Sequence, residues 1–278
     1  MKKVLIVTTV SGFVPQFEMN NVHILQEMGY EVHYASNYHN VSYGVDNHRL
    51  DGTKIIRHQV DFCRSPFDVK ANYMAYKQLK DIMEKETFSL LHCHTPVAGV
   101  LARFVARKQR KQGLKVIYTA HGFHFYKGAP LKYWLLFYPV ECVLAWFTDV
   151  LITINKEDYK RAKRFCWNKK TKVEFIHGAG IDIAYWSGQK LQRGEREAIR
   201  IKTRQQLGIT KEQFAILSVG ELIPRKNHEV VIQVLAELKK ELNGPVRYFI
   251  CGQGVLREEL QNLAKKLGVL EEVTFLGY

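Results

Sequence analysis

The sequence predicts an α/β protein with two domains, each built on a doubly wound parallel sheet. Short runs rich in valine and isoleucine alternate with longer stretches that have helical periodicity. Several of the short runs are apolar at successive positions, as strands covered by helices on both faces must be. The alternation pauses once, after residue 180, and then resumes. Strand–helix alternation of this kind is typical of βαβ units, and the pause indicates a domain boundary.

The elements are expected in the following order. Strands are predicted at Val4–Thr8, Glu31–Ala35, Lys54–Arg57, Leu90–His94, Lys115–Thr119, Val150–Ile154, Val173–Ile176, Ala215–Val219, Arg247–Cys251 and Val273–Leu276. Helices are predicted at Gln16–Met28, Val69–Lys85, Val97–Gln112, Tyr133–Phe147, Glu157–Phe165, Asn227–Glu241 and Leu256–Leu267. The N-terminal apolar run is short, contains two threonines and lacks a cleavage site, so it is interpreted as a buried strand rather than a signal peptide.

The pause in the alternation defines the expected domains. We expect a first domain over residues 1–180, a linker over 181–196 that leads into a helix, and a second domain over 197–278. The second series stops after three strands and two helices, whereas an open parallel sheet usually has five or six strands. The second domain is therefore expected to be truncated at its C-terminal side, with roughly 100 residues of a complete domain missing.

Composition excludes several classes of protein and suggests a partner. The chain has 278 residues, of which 46% are hydrophobic and 24% charged. These values are ordinary for a soluble globular protein and argue against wholesale disorder or a coiled coil. The net charge of +14 predicts an anionic partner, which could be nucleic acid, an anionic membrane face or a phosphorylated small molecule. Five cysteines without a C-x-x-C pair indicate reduced thiols in a cytosolic protein.

Three histidines lie at or just after the ends of two neighbouring strands of the first predicted sheet. His92 and His94 lie at the end of one strand, and His121 follows the next. Loops after strand carboxyl ends form the binding crevice of open α/β sheets. We expect His92 to point into the core, and His94 and His121 to point into the crevice, where an imidazole can hydrogen-bond a hydroxyl or move a proton. No carboxylate or thiolate set nearby completes a zinc site, so no metal is expected.

Two further features of the first domain leave alternatives open. Gly12, in the first βα turn, could let the backbone approach an anionic ligand, or could serve a tight turn without any ligand. The segment 123–147 is dense in aromatic residues, with Lys127 and Lys132 interleaved. It could be an interfacial element that reaches a lipid-linked substrate, or an aromatic core helix beneath a lid.

The second domain begins with a strand, a cationic loop and a helix. Arg225 offers a planar fork and Lys226 a point charge, and Asn227 is the expected N-cap of the helix. This combination predicts a metal-free cradle for a diphosphate, with a plain solvated loop as the alternative. Gly252 and Gly254 form another turn at the same sheet edge. The sequence has no D-x-D spacing, so a carboxylate-held magnesium site is not expected.

Four segments resemble glycosyltransferase family 4, the retaining transferases with the GT-B architecture, and in particular the bacterial branch that builds capsular and exopolysaccharides. They are His92–Pro96, Tyr118–Gly128, Ile154–Asp158 and Gly220–Asn227. The resemblance implies a GT-B-like fold with two Rossmann-like domains that face a cleft. It implies transfer of a hexosyl group, with retention, from a nucleotide diphosphate sugar (a UDP-sugar is expected first) to a lipid-linked saccharide or other acceptor hydroxyl. It also implies a cytoplasmic enzyme that associates with the inner face of the membrane.

The resemblance also assigns roles to individual residues. His121 matches the histidine that touches the donor sugar, and Arg225 and Lys226 match the cationic pair that neutralises the leaving diphosphate. Donor-binding residues are expected to be Gly12, Gly220, Arg225, Lys226, Gly252 and Gly254. Acceptor-binding residues are expected to be His94, Phe123 and His124. No cofactor is expected, and the Glu-x7-Glu element of the family would lie beyond Tyr278.

Two other functions fit the same sequence. A UDP-sugar 2-epimerase has the same fold and needs no acceptor, and a truncated chain could bind a sugar nucleotide without catalysis. The expected partners are a nucleotide sugar, a polyprenyl-linked saccharide acceptor and, at the periphery, an anionic membrane. Specific binding of nucleic acid is not expected, because the sequence has no basic stripe with stacking aromatics in a known module.

Overall fold

The chain folds into two compact units. The computed structural model describes residues 1–44, 46–166, 170–181, 183–187, 191–241 and 245–277. One unit covers Met1–Ile181 and the other Asp182–Tyr278. In the segment expected as a linker, positions 182 and 188–190 lie outside the described residues.

The first unit is built on a seven-stranded sheet in which every described strand pair is parallel. Its strands are β1 (Lys2–Val10), β2 (Tyr30–Asn37), β3 (Ile56–Gln59), β4 (Leu90–His94), β5 (Lys115–Ala120), β6 (Val150–Thr153) and β7 (Lys172–Phe175). The order is β3-β2-β1-β4-β5-β6-β7. The direction of winding therefore reverses between β1 and β4, and ligands of such sheets bind at the carboxyl ends of the strands beside this point.

Helices cover both faces of this sheet. They are α1 (Phe13–Phe17), α2 (Met19–Glu27), α3 (Val69–Lys85), α4 (Pro96–Arg110), α5 (Leu131–Leu144) and α6 (Lys156–Phe165). Leu5 and Val7 of β1 belong to one buried cluster, whereas Val4 and Ile6 belong to another. Because successive side chains of a strand point to opposite faces, β1 is buried on both sides, which explains its unbroken apolar sequence.

The second unit contains a parallel three-stranded sheet with the order β10-β9-β8 among the described residues. Its strands are β8 (Phe214–Val219), β9 (Val246–Cys251) and β10 (Val273–Gly277). Its helices are α7 (Ile183–Trp186), α8 (Arg193–Gln206), α9 (His228–Glu241) and α10 (Arg257–Lys266). Ile232, Leu235, Tyr248 and Leu260 form the centre of a core that is separate from those of the first unit.

Two elements differ from the sequence prediction in more than the exact positions at which they begin and end. The helix expected over Gln16–Met28 is divided into α1 and α2 at Glu18, whose backbone angles (φ −121°, ψ 3°) are not helical. The strand expected over Lys54–Arg57 is β3, displaced towards Gln59, because Lys54 adopts a left-handed φ of +58°. In the described parts of the chain, no helix combines the length and the apolar character that a membrane span requires.

Candidate functional site

The loops after β1, β4 and β5 lie at the same edge of the first sheet. Thr95 joins two of them, since its Oγ1 accepts a hydrogen bond from the Thr9 amide at 3.0 Å and lies 2.8 Å from Thr9 Oγ1. Thr95 has a φ of +61°, which is strained for a β-branched residue. The contacts with Thr9 hold it there and fix the start of α4 at Pro96.

His94 is buried between two polar side chains at this edge. Its Nδ1 lies 3.2 Å from Nε2 of His121 and 3.6 Å from Oε1 of Glu18. The other carboxylate oxygen of Glu18 accepts a hydrogen bond from Asn21 at 2.6 Å. Glu18, His94 and His121 therefore form a chain of polar groups, which runs from a buried carboxyl group to a half-buried imidazole.

Burial controls the charge of this cluster. It lowers the pKa of His121, and it lowers the pKa of His94 well below its ordinary value, with the nearby His92 and His121 adding to the effect. Burial and the proximity of His121 lower the pKa of His92 to about 4. Burial raises the pKa of Glu18, against a smaller opposite effect of its hydrogen bond from Asn21. The imidazoles are therefore neutral near pH 7.

The hydrogen-bond network assigns the proton positions in this chain. His94 Nε2 is buried and has no partner among the residues that the structure describes, whereas Nδ1 faces His121. A buried N–H without an acceptor is costly, so the proton of His94 is assigned to Nδ1, which donates to Nε2 of His121. His121 then carries its own proton on Nδ1, which makes that nitrogen a hydrogen-bond donor.

Glu18 is the member of the site that the sequence analysis missed. Glu18, His92 and His94 each offer one atom that could ligate a metal ion, and these three atoms lie within 4.8 Å of one another. All three side chains are buried. One oxygen and two nitrogens would suit zinc. However, His92 Nε2 lies 2.9 Å from Thr119 Oγ1, and His94 and Glu18 also have hydrogen-bond partners in the protein. Several of the atoms that could ligate a metal are therefore already engaged. The absence of a metal remains a prediction.

The structure corrects two of the expected acceptor-binding residues. His94 has no exposed surface, whereas we expected it to point into the crevice. Phe123 is 7% exposed and stacks on Phe125 within the core, at 4.8 Å between ring centroids. The side chains of this segment alternate, so Phe123 and Phe125 point inwards while His124 is exposed and lies 4.6 Å from the ring of Phe137. His92 is buried, as expected.

The loop that carries His121 is anchored by α6. Asn155 caps this helix by accepting a hydrogen bond from the Asp158 amide at 2.8 Å, and it also donates to the Asp158 carboxylate at 2.7 Å. The same carboxylate oxygen accepts from the Phe123 amide at 3.1 Å. The segment 154–158, which contributed to the family resemblance, therefore positions the histidine loop.

A cavity of about 730 Å³ opens beside these loops, entirely within the first unit. Its walls come from the loop after β3, the first turns of α4 and one face of α5. Glu141 lines it and forms a buried two-pronged ion pair with Arg103, at 2.8 and 3.0 Å. His124 lines the same cavity, so it remains a candidate for acceptor binding.

Arg225 and Lys226 lie in a short 3-10 turn between β8 and α9. Both side chains are exposed, and within the described part of the chain neither has a hydrogen bond or an ion pair. Asn227 directly precedes α9, in the N-cap position that the sequence predicts, but it adopts a left-handed φ of +52°, and no capping hydrogen bond from its side chain is found among the described residues. The stem of Lys226 lies over Gly220, where an added Cβ would be 3.4 Å from its Cδ. An unpaired cationic pair at the carboxyl end of a parallel strand suits an anionic ligand.

Close packing between loops accounts for Gly252 and Gly254. A Cβ at Gly252 would lie 1.9 Å from the carbonyl oxygen of Gly220, and one at Gly254 would lie 2.5 Å from that of Leu222. These glycines therefore bring the loop after β9 against the cationic loop after β8. Their expected contacts with the donor remain predictions.

Gly12 is likewise explained by packing. A Cβ at Gly12 would lie 1.8 Å from the carbonyl oxygen of Ser42. Its amide donates to the carbonyl oxygen of Val41 at 2.7 Å. That N–H is therefore already used, and the donor contact expected for Gly12 would have to come from another backbone atom.

Comparisons with known proteins identify the class. Residues 3–155 match the family described as Glycosyl transferase 4-like, and residues 199–278 match the family described as Glycosyl transferases group 1. The chain belongs to the glycosyl transferase 4-like family, with a mixed α/β fold of the GT-B type. The predicted family and fold class are thus confirmed.

Among individual relatives, the chain is 38% identical to EpsD of Bacillus subtilis strain 168, a protein assigned as a glycosyltransferase, over 277 residues. The match covers 100% of this chain and 68% of EpsD. The chain is 27% identical over 220 residues to the UDP-Gal:alpha-D-GlcNAc-diphosphoundecaprenol alpha-1,3-galactosyltransferase of Escherichia coli, covering 76% of this chain and 51% of that enzyme. The chain therefore spans about half to two thirds of the length of these relatives.

Solved structures show the same fold in two classes of enzyme. A glycosyltransferase from Rickettsia africae ESF-5 has a TM-score of 0.64 and 16% identity, covering 99% of this chain and 68% of that one. A UDP-GlcNAc 2-epimerase from Neisseria meningitidis, bound to UDP-GlcNAc, has a TM-score of 0.62 and 15% identity, covering 99% and 72%. At this identity the likeness shows the fold alone.

Proposed function

We propose that the protein transfers a hexosyl group from a nucleotide diphosphate sugar, with a UDP-sugar as first candidate, to a hydroxyl of a lipid-linked saccharide in surface polysaccharide biosynthesis. The observation that carries this proposal is the exposed pair Arg225–Lys226 at the carboxyl end of β8, which has no side-chain partner among the described residues, in a chain of a glycosyltransferase family. The Escherichia coli relative, named for a UDP-galactose donor and a diphosphoundecaprenol-linked acceptor, supports the same donor and acceptor classes here.

The chemistry follows from where charge develops. The bond between the anomeric carbon and the diphosphate oxygen breaks, which leaves an oxocarbenium-like sugar and a diphosphate with growing negative charge. Arg225 and Lys226 stabilise that charge in the transition state. The acceptor oxygen bonds to the anomeric carbon from the same face, so the configuration is retained, and its proton passes to the departing diphosphate. His121 orients the donor sugar through its Nδ1–H.

We propose that no metal takes part in this reaction. Arg225 and Lys226 supply the positive charge that a magnesium ion would otherwise provide. EDTA should therefore leave the rate unchanged. Loss of activity in EDTA, with recovery on addition of zinc, would instead favour a metal held by Glu18, His92 and His94.

We also propose a peripheral contact with the cytoplasmic face of an anionic membrane. Helix α5 exposes Leu131, Leu135 and Val143, whose exposed fractions are 72%, 70% and 57%. Lys132 lies on the same helix, and the chain as a whole carries a charge of +14. Apolar side chains interleaved with cations are suited to the interface of a membrane with anionic lipids.

The diphosphate assignment is tested by replacing Arg225. In the longest polypeptide that contains the chain, Arg225→Ala should lower kcat by roughly 10²–10³, because removal of one donor to a developing oxyanion costs about 2.7–4 kcal/mol. Arg200→Ala is the matched control in the same unit, since Arg200 is exposed and, of the residues that the structure describes, pairs with Glu197 alone. Unchanged turnover in Arg225→Ala would remove the assignment.

The second candidate is a UDP-sugar 2-epimerase, which the likeness to the Neisseria meningitidis enzyme favours at the level of fold. An epimerase consumes the donor without an acceptor, so product analysis with the donor alone distinguishes the two reactions. A third candidate, a non-catalytic binding protein, predicts donor binding without turnover in either assay.

A further inference from the structure

We infer that the 730 Å³ cavity of the first unit binds the start of the isoprenoid chain of the lipid-linked acceptor, with Arg64 at its mouth on the phosphate. This inference rests on the proposed function and adds to it the place of the lipid. Cavities of this volume are typical of sites for small ligands.

The walls are mostly apolar. Val97, Val100 and Leu101 come from α4, Leu136 and Val140 from α5, and Phe67 from the loop after β3. A hydrocarbon chain gains free energy by leaving water for such walls, whereas each hydroxyl of a sugar would need a new hydrogen-bond partner there.

Several of the polar side chains in the wall already have hydrogen-bond partners within the protein. Thr9 and Thr95 are bonded to each other, and Glu141 is engaged by Arg103. Asn72 donates to the carbonyl oxygen of Ser65 at 3.0 Å. A saccharide packed beside these side chains would leave buried hydroxyls without hydrogen-bond partners, which is unfavourable. The chain of the lipid is therefore a better occupant than its sugar.

Arg64 supplies a cation at the edge of the same cavity. It is exposed, and its only hydrogen bond in the described part of the chain goes to Ser42 Oγ at 2.5 Å. The rest of its guanidinium remains available, and this group binds phosphate oxygens in a two-pronged geometry. An apolar cavity with one cation at its mouth is complementary to a polyprenyl phosphate.

A continuous apolar path leads from the surface of α5 into the cavity. Leu136 and Val140 line the cavity, yet they are also 42% and 37% exposed. Leu135 and Val143, beside them on the helix, are exposed without lining the cavity. A lipid chain could thus enter without crossing polar surface. Leu136 and Val140, which line the cavity, can be compared with their exposed neighbours Leu135 and Val143, which do not.

The test uses the 278-residue chain and farnesyl phosphate, a short polyprenyl phosphate, with no nucleotide sugar present. Calorimetry should show that Leu136→Asp and Val140→Asp each weaken the binding of farnesyl phosphate about tenfold or more, because a carboxylate then borders the bound isoprenoid chain. The controls Leu135→Asp and Val143→Asp should stay within about twofold. Arg64→Gln should weaken farnesyl phosphate binding about tenfold and leave farnesol binding unchanged.

Three results would overturn the inference: no binding of farnesyl phosphate, equal losses within each matched pair, or equally tight binding of inorganic phosphate. Should a cavity variant fail to fold, photocrosslinking of the unaltered chain with a benzophenone-bearing farnesyl phosphate still decides, since labels away from α4, α5 and the loop after β3 contradict the cavity. This binding test needs no turnover, so its failure is distinguishable from failure of the transferase proposal, which the Arg225 assay measures.

Discussion

The proton position on His121 depends on a single buried neighbour. His94 donates from Nδ1 to Nε2 of His121, which directs the N–H of His121 to its other nitrogen. Under the proposed function, the buried His94 acts by positioning the proton of His121 and not as the acceptor-binding residue that the sequence suggested.

We predict that His94→Phe removes the preference of His121 for a single tautomer. The ring volume is kept while the donor to His121 is lost, so both tautomers of His121 become populated. Nitrogen-15 shifts of the imidazoles measure this directly, with His33→Phe as the control because His33 is buried on β2 and pairs with Glu31 and His58 instead. A His121 that keeps a single Nδ1–H tautomer in His94→Phe would contradict the assignment.

The buried histidines also predict how stability depends on pH. Their ordinary pKa is 6.5, and that of His92 is lowered to about 4 in the folded protein. Between these values the unfolded chain binds more protons than the folded one, so the free energy of unfolding falls as the pH falls. Glu18, with its raised pKa, acts in the opposite direction.

Urea unfolding at pH 7 and pH 5 measures this effect. The loss of stability on acidification should be about 1–2 kcal/mol smaller in His92→Asn than in the unaltered chain, because each bound proton changes the free energy by about 1.4 kcal/mol per pH unit. His48→Asn is the control, since His48 is exposed and its pKa is raised by Asp51. An identical loss in all three proteins would contradict the account.

The sequence revealed some residues of the site but not others. His92, His94 and His121 could be found because they lie at or directly after the carboxyl ends of strands, where ligand sites of this fold lie. Glu18 could not, because it reaches the cluster only through the break between α1 and α2, and a lone acidic residue in a helical pattern gives no such signal. The burial of Phe123 could not be predicted either. The alternation of buried and exposed side chains in this loop depends on the hydrogen bond from the Phe123 amide to Asp158, which the sequence does not show.

At the scale of elements, α5 combines the two interpretations that its sequence left open. Trp134, Phe137 and Tyr138 pack against the buried cluster of the first unit, whereas Leu135 and Val143 are exposed. A helix that is apolar all round gives no periodic signal, so the sequence could not show which side faces the core. Buried parallel strands such as β1 could be recognised because they contain continuous apolar runs, here Val4–Val7.

Because the loops after β8 and β9 are in close contact, we expect one methyl group added at Gly252 to lower the stability of the second unit strongly. Gly252→Ala should destabilise the second unit by about 2 kcal/mol or more, because its Cβ would lie 1.9 Å from a backbone oxygen and its φ is +157°. Gly194→Ala, with open space around it within α8, should stabilise the chain by about 0.5–1 kcal/mol. Thermal unfolding measures both, and equal stability of the two variants would show that the loops do not touch.

At the scale of the whole molecule, the excess of positive charge and the exposed side of α5 predict reversible membrane binding. Sedimentation with vesicles containing phosphatidylglycerol should show binding that weakens with salt and is weak for neutral vesicles, since each cation near the surface contributes about 1 kcal/mol. Val143→Asp should weaken this binding several-fold. Binding that is indifferent to salt and to Val143→Asp would contradict the proposed contact.

The sequence also predicted the division of the chain into two α/β units, since the strand–helix alternation pauses near residue 180. The structure ends the first unit at Ile181 and places α8 from Arg193, so part of the segment expected as a linker is helical. A polar, basic helix has no apolar stripe strong enough to mark its start in the sequence.

The most direct test of the central claim is transfer from a panel of radiolabelled UDP- and GDP-sugars to a polyprenyl diphosphate-linked saccharide, with EDTA present, using the longest polypeptide that contains the chain. The account predicts that label enters the lipid fraction only when one donor and the acceptor are both present, and that it does not with Arg225→Ala. Conversion of the donor into its C2 epimer without any acceptor would contradict it.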